Sequence, residues 1–193
     1  MMRLNKGCKV DFRDCIRCIL KNIGATIMGV KPAELRNIRF NNSKIWDRCK
    51  STILAYDQIK MIELNEKVNR KQVLFYHEAA LDQQLRKAEV LEFLKKHGYP
   101  QKYNLKSYLD FLVKRLRSNE FPHEIGIFFG YPLKDVLGFM GYSDLKVTHS
   151  KEWKIYGDKS ISLLQQKRFE MARDYFNKRI DRAEEIEQLY NVV

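Results

Sequence analysis

The chain alternates between two periodicities, and the points where one gives way to the other mark its elements. Asp11 can cap a helix in which Phe12, Ile16, Ile19, Ile23 and Ile27 recur as one apolar stripe, and Gly29 ends it. Pro32 suits the first turn of a short second helix over PAELRNI, where its missing N–H costs nothing. Ser43 is placed to cap KIWDRCKSTILAY, with Ile45, Trp46, Cys49, Ile53 and Tyr56 inward. The period then shortens. QIKMIEL (58–64) and KQVLFYH (71–77) are rich in Ile, Val and aromatics, and the polar NEKVNR between them makes the pair a hairpin. Helical spacing returns in AALDQQL and in EVLEFLKKHGY, which stops at Gly98 before Pro100. LKSYLDFLVKRLRS sets Leu105, Tyr108, Leu109, Leu112, Val113 and Leu116 on one face. KEWKIYGD (151–158) reads as a third strand. Asp158 or Ser160 can cap a final helix through about Tyr190, with Ile161, Leu164, Met171, Tyr175, Ile186 and Leu189 inward.

No repeat, low-complexity tract or Pro/Ser-rich linker separates these elements. The expectation is one α+β domain over 1–193, mostly helical and packed around a small, about three-stranded sheet. It divides into a helical third (1–57), a hairpin (58–77) and a helical remainder with one further strand at 151–158.

The segment NEFPHEIGIFFGYPLKDVLGF (119–139) predicts a tight corner. Pro122 belongs in a first helical turn, Gly130 can adopt the left-handed stop, and Pro132 starts the next helix. Ile125, Phe128 and Phe129 face inward before the turn, and Leu133, Val136, Leu137 and Met140 after it. A DNA-reading helix needs long polar side chains near its N-terminus, and here only Lys134 and Asp135 qualify. The residues favour a packed elbow.

The same stretch, FPHEIGIFFGYPLKDVLGF followed by WKIYGD, resembles the paired signature of a bacterial family, domain of unknown function 3793. GVKPAEL (29–35) and VLFYHEAALDQQLRKAEVLEFLKKHGY (73–99) resemble it too, so the likeness spans about 15 to 175. Members of that family often carry cysteines before the GxKP element, before the WKxYGD strand and in the helix after it. Here those places read NIGATIMGVKP, KVTHSKEW and KRFEMARDYF, with no cysteine. A metal or redox role for such cysteines therefore does not carry over. The resemblance implies one bacterial or phage intracellular domain and brings no activity with it.

Composition bounds the rest. With 193 residues, 45% hydrophobic and 31% charged, the chain can bury a real core. No apolar run approaches the roughly 18 residues of a membrane span. The start, MMRLNKGCKVDFRDC, does not read as a signal peptide, so a cytoplasmic location is expected. The net charge of +12 is uneven, because residues 1–57 hold 12 Lys and Arg against 5 Asp and Glu. Such a field attracts nucleic acid or an acidic protein surface, although the same charge also serves solubility.

Four cysteines lie in that basic third: Cys8, Cys15, Cys18 and Cys49. Cys15 and Cys18 have metal-ligand spacing, but on a helix Cys15 sits at the edge of the apolar stripe and Cys18 points away. One tight pair and two singles make ordinary reduced thiols the simpler reading, and no metal or cofactor is expected. No phosphate-cradling loop, nucleophile elbow or paired catalytic carboxylates stand out.

Two constellations are left. Lys31, Arg36, Arg39, Lys44, Arg48 and Lys50 lie within twenty residues, interleaved with Phe40 and Trp46, as phosphate-backbone binding uses. His123 and Glu124, with Trp153, Tyr156 and Asp158, could instead line a pocket. The leading expectation is a non-enzymatic protein that contacts nucleic acid, or a nucleic-acid-associated protein, through the basic set. The alternatives are a small-molecule, cofactor or metal-binding enzyme built on the pocket, and an inhibitor or adaptor that docks on an acidic partner.

Overall fold

A computed structural model describes residues 11–40, 42–67, 70–118 and 120–185. A three-stranded antiparallel sheet lies between two helical layers. Its middle strand is β3 (Arg70–His77), flanked by β1 (Ala33–Arg39) and β2 (Ile59–Lys67). The register runs from Ala33 opposite Tyr76 to Arg39 opposite Arg70, and from Ile59 opposite His77, with a bulge between Glu63 and Asn65. Side chains alternate across a strand, so β3 serves both layers. Val73 and Phe75 join Ile38 and Ile59 against α1 (Phe12–Ile27), α2 (Ser43–Leu54) and the far end of α8 (Ser160–Arg182). Leu74 and Tyr76 join Ala33 and Leu35 against the layer that holds α3 (Glu78–Leu85), α4 (Ala88–Lys96), α5 (Leu105–Leu116), α6 (Ile125–Phe128) and α7 (Leu133–Phe139).

The caps of α1, α2 and α5 explain where those helices begin. The Asp11 side chain accepts from the Asp14 N–H at 2.9 Å, and Asn104 does the same for Ser107 at 3.2 Å. For α2 the cap is Asn42, not Ser43, accepting from the Ile45 N–H at 3.0 Å. The corner is an elbow. Short α6 ends at Gly130, whose φ of +79° only glycine adopts readily, and Pro132 starts α7. Pro122 precedes α6 and is not within it.

Three expectations need correction. PAELRNI is not a helix but strand β1, with Pro32 offering its carbonyl to the His77 N–H at 3.0 Å. β3 is apolar on both faces and needs a neighbour on each edge, and that tertiary demand overrides local helix propensity. The WKIYGD strand exists as β5 (Lys154–Tyr156), but it pairs with β4 (Val147–Ser150) in a separate hairpin and does not join the main sheet. α8 also turns a different face inward. Ile161, Leu164, Met171 and Tyr175 are exposed, while Ser162, Gln166, Phe169, Phe176 and Ile180 are buried. Its true inner stripe is partly polar because it meets buried charge, so apolar spacing picked the wrong side. Ile186, Leu189 and Tyr190 lie outside the described residues. No described helix is long and apolar enough to cross a membrane.

The β4–β5 hairpin is pressed onto α7 at Gly138. A Cβ there would sit 2.3 Å from Tyr156 Cγ. Gly138→Ala gains about 1 kcal/mol of helix propensity but forces an overlap that costs about 1–3 kcal/mol. Urea denaturation should show a net loss of stability. An unchanged or higher midpoint would show that the hairpin is not seated on this glycine.

Candidate functional site

The elbow and the β4–β5 hairpin converge on one buried carboxylate. Asp135, on α7, is 2% exposed. Its oxygens accept from Trp153 Nε1 at 2.8 Å, the Tyr156 N–H at 2.9 Å, Ser162 Oγ at 2.6 Å and Lys134 Nζ at 2.7 Å. Burial works to raise this carboxyl, but the hydrogen bonds, that from Lys134 first, outweigh it and hold it below the usual carboxylate range. α7, the hairpin and the start of α8 are thereby locked around one charge.

Above this joint lies a cavity of about 490 Å³. Its walls carry Phe121, His123, Phe129, Tyr131, Phe139 and Trp153. Tyr131 stacks on Trp153 at 4.2 Å between ring centroids, and His123 meets Phe139 edge-on at 5.0 Å. Phe121 and Phe139 at the mouth are 52% and 47% exposed. Burial, with the charges of Glu152 and Glu34, pushes the Tyr131 hydroxyl up to about 12, so it stays protonated. The polar part of the lining, besides His123 and the saturated Asp135, is Ser150, Lys151, Glu152 and Lys154 from the hairpin.

Of the five pocket residues expected, the structure brings two together, His123 and Trp153. Glu124 is fully buried on another side, where it takes Arg115 Nε at 2.5 Å and the Tyr99 hydroxyl at 3.2 Å. Tyr156 packs on Gly138, outside the lining. Asp158 stands one residue before the N-cap of α8, Lys159, and accepts from the Ser160 N–H at 3.0 Å. The cavity residues missed were the elbow aromatics and Asp135. The density of aromatics in 119–139 was the available signal, but it was read as packing.

The basic set divides in two. Lys31 is 6% exposed, lies 3.5 Å from Glu34 and sits over the Phe169 ring; burial pulls its ammonium down. Arg36 is paired with Glu34, and Lys50 with Glu63 at 3.0 Å. Only Arg39, Lys44 and Arg48 of the six stand exposed, with Arg48 stacked on the Phe12 ring at 3.9 Å. Phe40 and Trp46 are core residues, stacked on each other.

Cys15 and Cys49 are buried and hydrogen-bonded to each other, and that bond, with burial, pushes the Cys49 thiol up. Cys18 is exposed, as its helical position implied, and Cys8 lies outside the described residues. Among the described residues no group of three or more His, Cys, Asp or Glu side chains is arranged to hold a metal.

Fold and site together define an α+β domain with an aromatic-walled cavity at the seam between an elbow and a hairpin. The chain belongs to the family described as protein of unknown function DUF3793, whose model matches residues 19–190. No curated protein and no solved structure gives a match.

Removing the central carboxylate tests this construction. Asp135→Ala leaves buried donors on Trp153 and Ser162 without their acceptor and should cost about 3–5 kcal/mol in urea unfolding. The folded carboxyl is depressed, so its stabilisation is complete above the unfolded value of roughly 3.9 and is lost as pH falls below it. Melting temperatures of the wild type should therefore fall more steeply from pH 5 to pH 3 than those of Asp135→Asn. Parallel curves would show that Asp135 carries no such charge-dependent stability.

Proposed function

We propose that this protein is a non-enzymatic binder of a small, planar, ring-bearing molecule, held in the cavity between the elbow and the β4–β5 hairpin. The observation that carries this reading is the wall of six aromatic side chains around about 490 Å³, open at a mouth where two phenylalanines stand half exposed. That volume suits a ligand pocket, and aromatic faces favour flat rings. Both carboxylates in the lining are already engaged, Asp135 by four donors and Glu152 by Arg173. The walls offer contact surface and orientation and leave those carboxylates no free role as acid or base.

The test uses 8-anilinonaphthalene-1-sulfonate, a flat dye whose fluorescence rises when it leaves water. One saturable site is expected. Phe139→Ser should weaken it roughly threefold to tenfold, the worth of one aromatic contact. Leu164→Ser, on the exposed face of α8, should leave it unchanged. Equal effects of both substitutions, or no saturable binding, would sink the cavity reading.

A second reading rests on its own observation. Arg39 stands directly opposite Arg70 across the β1–β3 pair, and Lys44 and Arg48 are exposed on α2. Like charges placed opposite each other destabilise a sheet, and a bound polyanion relieves them. This end of the sheet suits a nucleic-acid backbone or an acidic protein surface. With three or four phosphate contacts, anisotropy with labelled DNA or RNA should show roughly a hundredfold loss of affinity between about 50 and 200 mM salt. Arg39→Glu combined with Arg48→Glu should abolish binding. No binding at low salt, or binding indifferent to these reversals, rules this surface out.

A further inference from the structure

Behind Tyr131, where the cavity wall meets α8 and β1, five charges crowd one seam. Lys31, Arg36 and Arg173 supply three cations, and Glu34 and Glu152 two carboxylates. Glu34 is shared by Lys31 and Arg36, while Glu152 Oε1 holds Arg173 Nη1 at 3.1 Å. Lys31 and the Tyr131 hydroxyl both feel Glu34, Arg36, Glu152 and Arg173, which places all four around that point. The seam is also where hydrogen bonding is incomplete. The Nε atoms of Arg36 and Arg173 are buried without a partner, as is Asn177 Oδ1 one turn further along α8. Buried polar groups are almost always paired, so two unpaired guanidinium donors on one seam call for an acceptor. An Asn side chain can also turn to present its amide hydrogens.

Glu152 ties this seam to the cavity, because it lines the cavity and is the carboxylate on Arg173. It sits in the turn of the β4–β5 hairpin (151–153), a short connection beside the opening. The arrangement matches an anion subsite already filled by one of the protein's own side chains. We propose that the ligand carries an anionic group, carboxylate, sulfonate or phosphate, which displaces Glu152 and binds Arg173, with Arg36 and Lys31 supplying the surrounding positive field. Guanidinium suits this role, since its planar fork donates to two oxygens of one anion at once. With Glu152 displaced, three cations still face two anions, Glu34 and the incoming group, so the charge balance of the free protein is kept. The inference rests on the cavity reading and names the chemistry of its ligand.

Two dyes with the same ring system separate the subsite from the cavity: 8-anilinonaphthalene-1-sulfonate and its uncharged parent, N-phenyl-1-naphthylamine. The sulfonate should bind the wild type more tightly. Arg173→Gln should weaken the sulfonate about tenfold, the size of one charge-assisted hydrogen bond, and change the uncharged dye less than twofold. Glu152→Gln, which keeps Arg173 and removes its competitor, should tighten the sulfonate and leave the uncharged dye as it was. The proposal is overturned if the two dyes bind equally, if Glu152→Gln weakens the sulfonate, or if Lys151→Gln or Lys154→Gln at the rim matters and Arg173→Gln does not. In all three outcomes the cavity reading survives. If neither dye binds, the cavity reading falls and takes the subsite with it.

Discussion

A carboxylate deprived of water must be given donors, and the way Asp135 is supplied decides how half of this fold is joined. Its four donors come from α7 itself, from the residue just before β5, from the last residue of β5 and from the first turn of α8. Neither α7 nor β5 has much apolar surface to fix its own place: β5 is three residues long and α7 seven. Hydrophobic contact alone would let such short pieces slide, whereas a charge with fixed acceptor directions permits one arrangement. The Trp153 ring is oriented by its N–H on Asp135, and Tyr131 stacks on that ring. The cavity therefore inherits its shape from a single ionised group.

The same device recurs at two other joints. Glu34 is buried on β1, where Thr26 of α1 donates to it at 2.8 Å and Lys31 and Arg36 balance its charge. Glu124 is buried before α6, where Arg115 of α5 and the Tyr99 hydroxyl meet it. A buried ion pair adds little net stability over an apolar contact, but breaking one is costly, and so it specifies geometry. Each carboxylate sits where helix, strand and loop change direction. Apolar packing supplies the two cores on either side of the sheet, and buried acids set the joints between pieces too short to pack uniquely.

What could be read from the residues follows from this division. α1, α2, α4 and α5 were legible because each has a local cap or stop and an apolar stripe against a large core. The hairpin was legible because its alternation is local. β1 was not, since AELRNI becomes a strand only through the edge of β3, nearly forty residues further on. The inner face of α8 was hidden for a related reason. Ser162 is inside because Asp135 needs it, while Leu164 is outside because nothing requires it there. Of the pocket, His123 and Trp153 were found from the residue types alone. Asp135 was not, because three of its four donors lie 18 to 27 residues away and its own neighbourhood reads as an exposed helix start.

Charge in this protein also cannot be weighed by counting. Residues 1–57 hold a strong formal excess, yet its cations have different work. Lys31 and Arg36 neutralise Glu34, Lys50 helps hold Glu63, and Arg17 donates to the carbonyls of Ile180 and Ala183 at the end of α8. Together with Trp46 and Lys71, Lys50 keeps Glu63 ionised down to about 2, although burial opposes it. These cations are already engaged, and Lys31 and Arg36 cannot face a polyanion without leaving the buried Glu34 unpaired. Among the described residues of the six-cation set, those that can are Arg39 at the end of β1 and Lys44 and Arg48 on the exposed face of α2. The seam at Arg173 is the opposite case: its charges are packed together and partly buried, and two of its guanidinium donors are unpaired. There each charge counts for more than several on the surface, because water does not screen it. A selective interaction with a small anion is therefore better served by the partly buried seam than by the exposed cations of the basic third.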